Sequence, residues 1–549
     1  MRPDDRAMNS AATRSEIRDS SGADRPPQRA GGGLRDLFAL LGDLLIDGGD
    51  TRLALDRPWG RSAYGCGPAP MPDLLCFSSS TASPISECAY AHVERAREQL
   101  MHAAISIGLE AALDRRTEEM RCELRQHLAL PDDVDIVFSP SGTDSQLHAL
   151  ALTRALLGDA VTSVIVASDQ TGSGTAASMR GSHFSTRTAN GVAVTREAPI
   201  EGLSGEAVPL PLLDGGTLQP RSDIDAAVLG AVDALVRDGR HVLLQVMDAS
   251  KLGWQAPGRE CLEEVAQRWP GRVQVVVDAC QMRLGGSRLR DHLARGHLVL
   301  ISGSKFFGGP AFSGALLVPR AVSSALRDGG PVASGVFDYV NRSDWPVNWT
   351  DLRARSVPRA NIGQWLRWEA ALEEIAAFHR VPVAFRRMAI RQLGEAIDSL
   401  LVLSPVLRPI ARRELAADDD NGEFGFATIF PFALQRHGQL LGVGETQAVY
   451  RALQLDLSSR FSGRLAGVAA RQCLVGQPVR IERPCEAPIA ALRLCIGARQ
   501  VTEAWCDDIT GCRINLEAEI DHIVDVVAKT ELLVSDVSSQ DLRDICNAN

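Results

Sequence analysis

The sequence is first narrowed by what it lacks. Its twelve cysteines are scattered and no two stand as C-x-x-C, which excludes the zinc-ribbon and thioredoxin-like sites that need that spacing; no metal site is expected, and a reduced, cytoplasmic setting is. The first stretch, MRPDDRAMNSAATRSEIRDSSGADRPPQRAGGG, mixes acids with bases and has no apolar run. It is therefore expected to be a disordered leader over residues 1–33, neither signal peptide nor membrane anchor. Positive charge is not in excess, since the formal net charge is -10. Nucleic acid and anionic membranes both require a basic face, so neither is expected as a partner. There is no internal repeat. What remains is a chain of 549 residues, 45% apolar and 23% charged, an ordinary globular composition too long for one core and suited to two or three domains.

Along the chain, LRDLFALLGDLLIDGG from Leu34 predicts a short amphipathic helix closed by glycines. A Gly/Pro-rich loop comes next, and then long helical periodicity to about residue 133, which together give an N-terminal arm with helices. From Val134 the texture changes to short apolar runs alternating with helical stretches: VDIVFS, VTSVIVAS, HVLLQVMD, RVQVVVDA, HLVLIS and SGALLVP. Runs that are apolar throughout predict strands covered on both faces, hence a large parallel or mixed α/β domain over 134–330. The remainder, 331–549, predicts an aromatic-dense linker (SGVFDYVNRSDWPVNW), long helices, and a smaller α+β domain built on FATIFPF, ALRLCIGA and the final helix EAEIDHIVDVVAKTELLV.

In an open α/β sheet, ligands gather beyond the carboxyl ends of the strands, so the residues after each predicted strand are read as one set. After VDIVF, SPSGTDSQ opens a helix with a Ser/Gly/Thr turn whose free N–H groups suit an anion; alone it also reads as a plain helix cap. After RVQVVV, DACQ puts Asp278 at a strand end where a carboxylate is costly without a cation or donor. After HVLLQVM stands DASKLG, a further polar cluster with Asp248 and Ser250. After HLVLIS, in SGSKFFGGP, Lys305 is the one charge in a Ser/Gly/Phe turn between two apolar runs. A lysine there either snorkels outward or serves as a nucleophile. A phosphate cradle, an acid for a protonated ring nitrogen and a lysine for a Schiff base are jointly the needs of pyridoxal 5'-phosphate.

With SGTDSQ, DACQ and SGSKFFGGPAFSGALLVP in that order, the chain resembles the fold type I pyridoxal-phosphate enzymes, in particular the class V aminotransferase and cysteine desulfurase group. The likeness covers about residues 75 to 330, and the C-terminal domain loosely. It implies a large mixed-sheet α/β domain with a smaller α+β C-terminal domain, a homodimer, and a small-molecule amino-acid substrate. Carried over, Lys305 binds the cofactor as a Schiff base and moves the substrate's α-proton, while Asp278 keeps the pyridine nitrogen protonated. Gln281 faces the ring's phenolic oxygen. Gly142 and Thr143, joined by Ser302 and Ser304, bind the phosphate, and Asp248 or Ser250 lies near the ring. A strand arginine, Arg493, is the candidate for the substrate's carboxylate, with Arg499 in reserve; Tyr339 and Arg342 of the aromatic stretch could line this or a neighbouring subunit's pocket.

The chain departs from the family twice. Where a histidine often stacks on the ring, this chain has Gln170, Thr171 and Gly172. The second-domain loop that carries a nucleophilic cysteine in the desulfurases has none; Cys473 and Cys485 come later. Aminotransferase or lyase chemistry is therefore expected ahead of sulfur transfer. Two other readings stand beside it. One is a cofactor-binding protein without catalysis. The other is a nicotinamide-dependent oxidoreductase, from G-x-G-x-x-A at Gly172 with Glu197 as the ribose acid.

Overall fold

The computed structural model describes residues 33–56, 59–327, 329–358, 360–412, 421–538 and 540–542. The expected leader thus lies outside the described residues except for Gly33. In chain order the strands of the two main sheets are β1 (Leu74–Phe77), β2 (Asp135–Ser139), β3 (Val161–Val166), β4 (Ala207–Leu210), β5 (His241–Met247), β6 (Val273–Asp278), β7 (Leu298–Ser302), β8 (Gly314–Val318), β9 (Leu407–Pro409), β10 (Ile429–Arg436), β11 (Gln439–Leu440), β12 (Gln472–Arg483) and β13 (Glu486–Cys495). The principal helices around them are α1 (Glu87–Ile107), α2 (Leu109–His127), α3 (Gly142–Leu157), α4 (Ile362–Arg380), α5 (Val383–Leu403) and α6 (Ile509–Asp536).

Seven strands form the large sheet in the order β2-β8-β7-β6-β5-β3-β4. Strand β8 runs antiparallel to both neighbours, and every other neighbouring pair is parallel. Strands β3, β7 and β8 are buried at every position, and β2, β5 and β6 everywhere but at their first one or two residues. Side chains alternate across the sheet. Val276, Leu298, Leu300 and Leu316 join one core, while Val275, Val277, Val299 and Leu317 join the other, as the period of two in a pleated strand requires. The second of these cores also contains Leu474, Leu492 and Leu494 of the smaller sheet. One apolar cluster therefore runs through both parts of the chain.

The smaller sheet has the order β9-β10-β13-β12-β1, with β11 paired to β10. Four of its strands, β1, β9, β11 and β12, had no strand expectation in the sequence reading. The segment expected to be only arm and helices contributes β1, which lies parallel to β12 with Leu74 opposite Gln472, and β12 itself fell in a stretch with no strand expectation. A four-residue strand such as LLCF has no local signal that names a partner so far along the chain. The helix expected from Leu34 also breaks up, into a 3₁₀ turn at Leu34–Phe38 and a single helical turn at Leu41–Leu45. Ala39 and Leu40 between them are extended; Asp36 caps the first piece by accepting from the Gly33 N–H at 2.8 Å, and no side chain caps the second.

One buried arginine fixes the chain immediately after that turn. Arg367 of α4 donates to four backbone oxygens, those of Phe312 (2.9 Å), Leu45 (3.0 Å), Asp47 (2.5 Å) and Gly48 (3.1 Å). Asn361 adds a bond to the Gly48 oxygen at 2.9 Å. Burial pulls the Arg367 guanidinium down to about 9, a cost those oxygens offset. The segment so held, 45–53, carries Arg52 near its end.

Replacing Arg367 with Met should leave the Phe312, Leu45 and Asp47 carbonyls without this donor, Gly48 keeping that of Asn361. At about 1–3 kcal/mol for each group left unsatisfied, a loss of several kcal/mol of unfolding free energy is expected in urea titrations, with early proteolysis near residues 45–53. Unchanged stability and cleavage would show that the clamp is not needed.

Candidate active site

Strands β2, β6 and β7 end at one edge of the large sheet, and β8 begins there, with Gly314 level with both Ser302 and Ser139. Beyond that edge lies a cleft of about 260 Å³ whose lining comes from both sheets and from the N-terminal segment. Lys305, Asp278, Gln281, Gly142, Thr143, Ser302, Ser304 and Arg493 all line it. Residues expected from separate parts of the sequence thus meet in one place.

Asp278 ends β6 and is buried. Its Oδ2 accepts from Gln146 Nε2 (3.2 Å) and Gln245 Nε2 (3.3 Å), and its Oδ1 from the Cys280 N–H (3.2 Å). Neither glutamine was singled out from the sequence, although the Gln in HVLLQVM is a visible polar break in an apolar run. Gln146 is oriented in turn by Ser178, whose hydroxyl donates to Gln146 Oε1 at 3.3 Å. Lys305 lies three residues past β7 and has no hydrogen-bond or ion-pair partner among the described residues.

The anion cradle is the start of α3. Ser141 caps the helix, its Oγ accepting from the Asp144 N–H, and the first turn's free N–H groups carry partial positive charge. Gly142 is required by close approach: a Cβ there would come within 2.6 Å of Cys280 Sγ. Arg52 reaches the same turn, donating to Thr143 Oγ1 and Ser141 Oγ, each at 3.2 Å. Asp50 grips it at 2.7 Å. Burial alone would lower the Arg52 guanidinium, but the ionisable Tyr64 and the Asp50 carboxylate outweigh it and hold it raised. Ser302 Oγ donates to the Cys280 carbonyl and Ser304 Oγ to Ser302 Oγ, at 2.8 and 3.4 Å. Arg52 was not foreseen, because nothing local marks TRL as part of a site.

Across the cleft, Arg493 of β13 is buried, with Nε on Ser80 Oγ (3.0 Å) and Nη2 on Thr81 Oγ1 (2.7 Å). Its Nη1 is buried without a partner. Gly476, opposite it on β12, leaves room for this pose, since a Cβ there would stand 2.5 Å from Arg493 Nε. A register shift between Gly476 and Val479 brings Gln477 and Pro478 to the cleft. Gln170, Thr171 and Gly172 line it too, and the Gln170 side chain, 1% exposed, has neither amide atom partnered. Because Gln170 lines the cleft, its unpartnered amide is open to a polar ligand there.

Other expectations are corrected. Asp248 and Ser250 do not line the cleft; Ala249 and Lys251 do. Ser250 Oγ accepts from the Leu252 and Trp254 N–H groups, a turn bond, and Asp248 Oδ1 faces Gln255 and Arg288. The polar cluster was read correctly as a strand end, but alternation past β5 sends those two side chains away. Gln281 is engaged by protein, its amide on the Ser80 carbonyl and its Oε1 accepting from Arg283. Arg499 does not line the cleft; its Nη2 bonds Glu374 and the carbonyls of Pro84 and Gly308. Tyr339 bonds His183, and Arg342 pairs with Asp114 and Glu110; neither reaches this cleft. Cys473 is buried and Cys485 exposed, both outside the lining. The dinucleotide reading finds a helix of only five residues at Thr175–Met179, and Glu197 sits on the surface paired with Arg180 at 2.7 Å. That turn is too short to pack as the first helix of a dinucleotide fold.

No family model matches the chain, and no curated protein does. Among solved structures it is similar to a cysteine desulfurase of Escherichia coli, at 14% identity over 84% of this chain and 96% of that one with a TM-score of 0.47. It is also similar to a cystine C-S lyase in complex with cysteine persulfide, at 16% identity over 82% and 97% with a TM-score of 0.45. A third is an Oryza sativa protein with PLP and tryptamine, at 15% identity over 82% and 83% with a TM-score of 0.45.

Asp144, one turn into α3, gives the site a measurable pH dependence. Burial, then the Asp50 carboxylate, push it from 3.8 up to about 7. The folded state holds this proton more tightly than the unfolded chain, so the stability tied to it is complete below about pH 4 and is lost as pH rises through about 7. Asp144→Asn should therefore melt higher than the parent, by a gap that widens from pH 5 to pH 8. A gap that stays constant or narrows would contradict this.

Proposed function

We propose that the protein is a pyridoxal-phosphate-dependent enzyme acting on the α-amino group of an amino acid, by aminotransferase or lyase chemistry. The observation that carries this reading is the meeting, in one cleft, of Lys305, a donor-clamped Asp278, the α3 cradle under Arg52, and Arg493 with a free Nη1. The cleft's polar atoms fit such a group: an N-capped helix start whose Gly142 has no room for a Cβ, and the unpartnered Gln170 amide beside it.

Lys305 Nζ would hold the cofactor covalently. Asp278 would sit against its ring nitrogen, held in place by Gln146 and Gln245, and the α3 N–H groups with Thr143, Arg52 and Ser302 would take its phosphate. When bound, the cofactor supplies an electron sink for negative charge developing at the substrate's α-carbon. The protein's part is orientation and proton handling. Arg493 Nη1 would fix the α-carboxylate with a charge-assisted bond, its other two nitrogens already tied to Ser80 and Thr81. That would leave the Cα–H bond facing Lys305, whose free amine would be the base in reach of the proton. Among the residues of the cleft Cys280 is the thiol, and it is buried, which raises its pKa well above the usual range. It is unsuited to accept sulfur, which ranks sulfur transfer below the other two chemistries.

Borohydride reduction of the protein incubated with pyridoxal phosphate tests the reading directly. The lysines of the sequence are Lys251, Lys305 and Lys529, so peptide mass spectrometry has few positions to distinguish. Label on Lys305 is expected; label elsewhere, or none, would overturn the proposal. For the carboxylate site, Gly476→Ala should displace the Arg493 guanidinium without removing it. KM for the amino-acid substrate should rise and kcat/KM fall by about one to two orders of magnitude, the scale of one misplaced charged hydrogen bond. Wild-type constants in that variant would mean that Arg493 does not hold the substrate.

A further inference from the structure

The charged residues lining the cleft are Arg52, Lys251, Asp278, Lys305 and Arg493. If the cleft holds pyridoxal phosphate and an amino acid, four of them have a counterpart. Arg52 is matched by Asp50 and the phosphate, Asp278 by the ring nitrogen, Lys305 by its covalent bond and Arg493 by the α-carboxylate. Lys251 is left over. It stands half-buried in the turn after β5, its own N–H directed at the Gln170 carbonyl at 3.4 Å. Its nearest acid in charge terms is Asp169, whose two carboxylate oxygens accept from the Leu212 and Leu213 N–H groups at 2.9 and 3.1 Å. Among the described residues no acceptor or carboxylate bonds its amine.

An uncompensated ammonium in a half-closed cleft is costly unless an anion arrives with the ligand. Next to it lies the second sign of an unfilled place, the Gln170 amide, buried with no partner at either atom. We propose that the substrate is an amino acid with an acidic side chain, whose second carboxylate is met by Lys251 Nζ and the Gln170 amide while Arg493 holds the first. The proposal rests on the pyridoxal-phosphate reading for the identity of the α-carboxylate site, but the two cations stand on the structure alone. Burial, then the charges of Arg493 and Lys305, draw the Lys251 amine down to about 8. It is still mostly protonated at neutral pH, and an anion seated between these cations relieves the repulsion.

The test is calorimetric titration of succinate and of butyrate, four-carbon acids that differ by the second carboxylate, into the protein with pyridoxal phosphate added. It is repeated without the cofactor in phosphate buffer, which fills the cradle. Succinate is expected to bind at least tenfold more tightly than butyrate. Lys251→Met should abolish the difference, and Lys251→Gln serves as a second variant should the first fail to fold. Equal binding of the two acids to the parent protein overturns the proposal, and so does a preference that persists in either folded variant. Failure of the cofactor reading is seen separately, as no reduced label on Lys305. A succinate preference that depends on Lys251, together with no reduced label on Lys305, would keep the acidic-ligand site and discard only the cofactor.

Discussion

A carboxylate at the buried end of a parallel strand is expensive, and the cleft is organised around meeting that cost. Asp278 is held by two glutamine amides and one backbone N–H, all neutral donors. The distinction has consequences. A salt bridge would have consumed the charge, whereas amide donors fix its direction and leave it available to a ligand cation. Each donor then constrains the framework. Gln245 fixes the register of β5 beside β6, and Gln146 fixes the rotation of α3, hence the direction in which that helix presents its first N–H groups.

The same economy is visible at the arginines. Arg367 and Arg283 are buried and saturated by backbone and hydroxyl oxygens. They join segments far apart in sequence, Arg367 the N-terminal turn to α4 and Arg283 the large sheet's edge to the loop after β1 and to β13. Arg493 has the same burial but keeps one nitrogen free. What sets Arg493 apart is that its unpartnered nitrogen belongs to a residue lining the cleft, where a ligand anion can meet it.

Much of this was legible locally. Strands β6, β7 and β8 are apolar at nearly every position, which only two-sided burial explains, and the residues just past them, Asp278 and Lys305, are the ones that meet in the cleft. The turn before α3 carried its cap in its own letters. Local pattern failed where a side chain's direction or a distant partner decided the outcome. Asp248 and Ser250 belong to the right turn but point away from the cleft, while Lys251, one residue on, points in. Arg52, Gln146 and Gly476 had no signal of their own.

By itself the sequence determined which segments would be doubly covered strands, where they would end, and that a lysine, an acid and a capped helix start would stand at those ends. These depend on periodicity and on the cost of placing charge beside apolar runs, both properties of neighbouring residues. Only the tertiary structure decided that the N-terminal segment folds back so that Arg52 reaches the α3 turn and β1 pairs with β12. It also decided that Arg493 keeps Nη1 free across the cleft from Lys251. Those outcomes depend on long-range pairing and on the directions in which side chains leave a twisted sheet, which no stretch of neighbouring residues encodes.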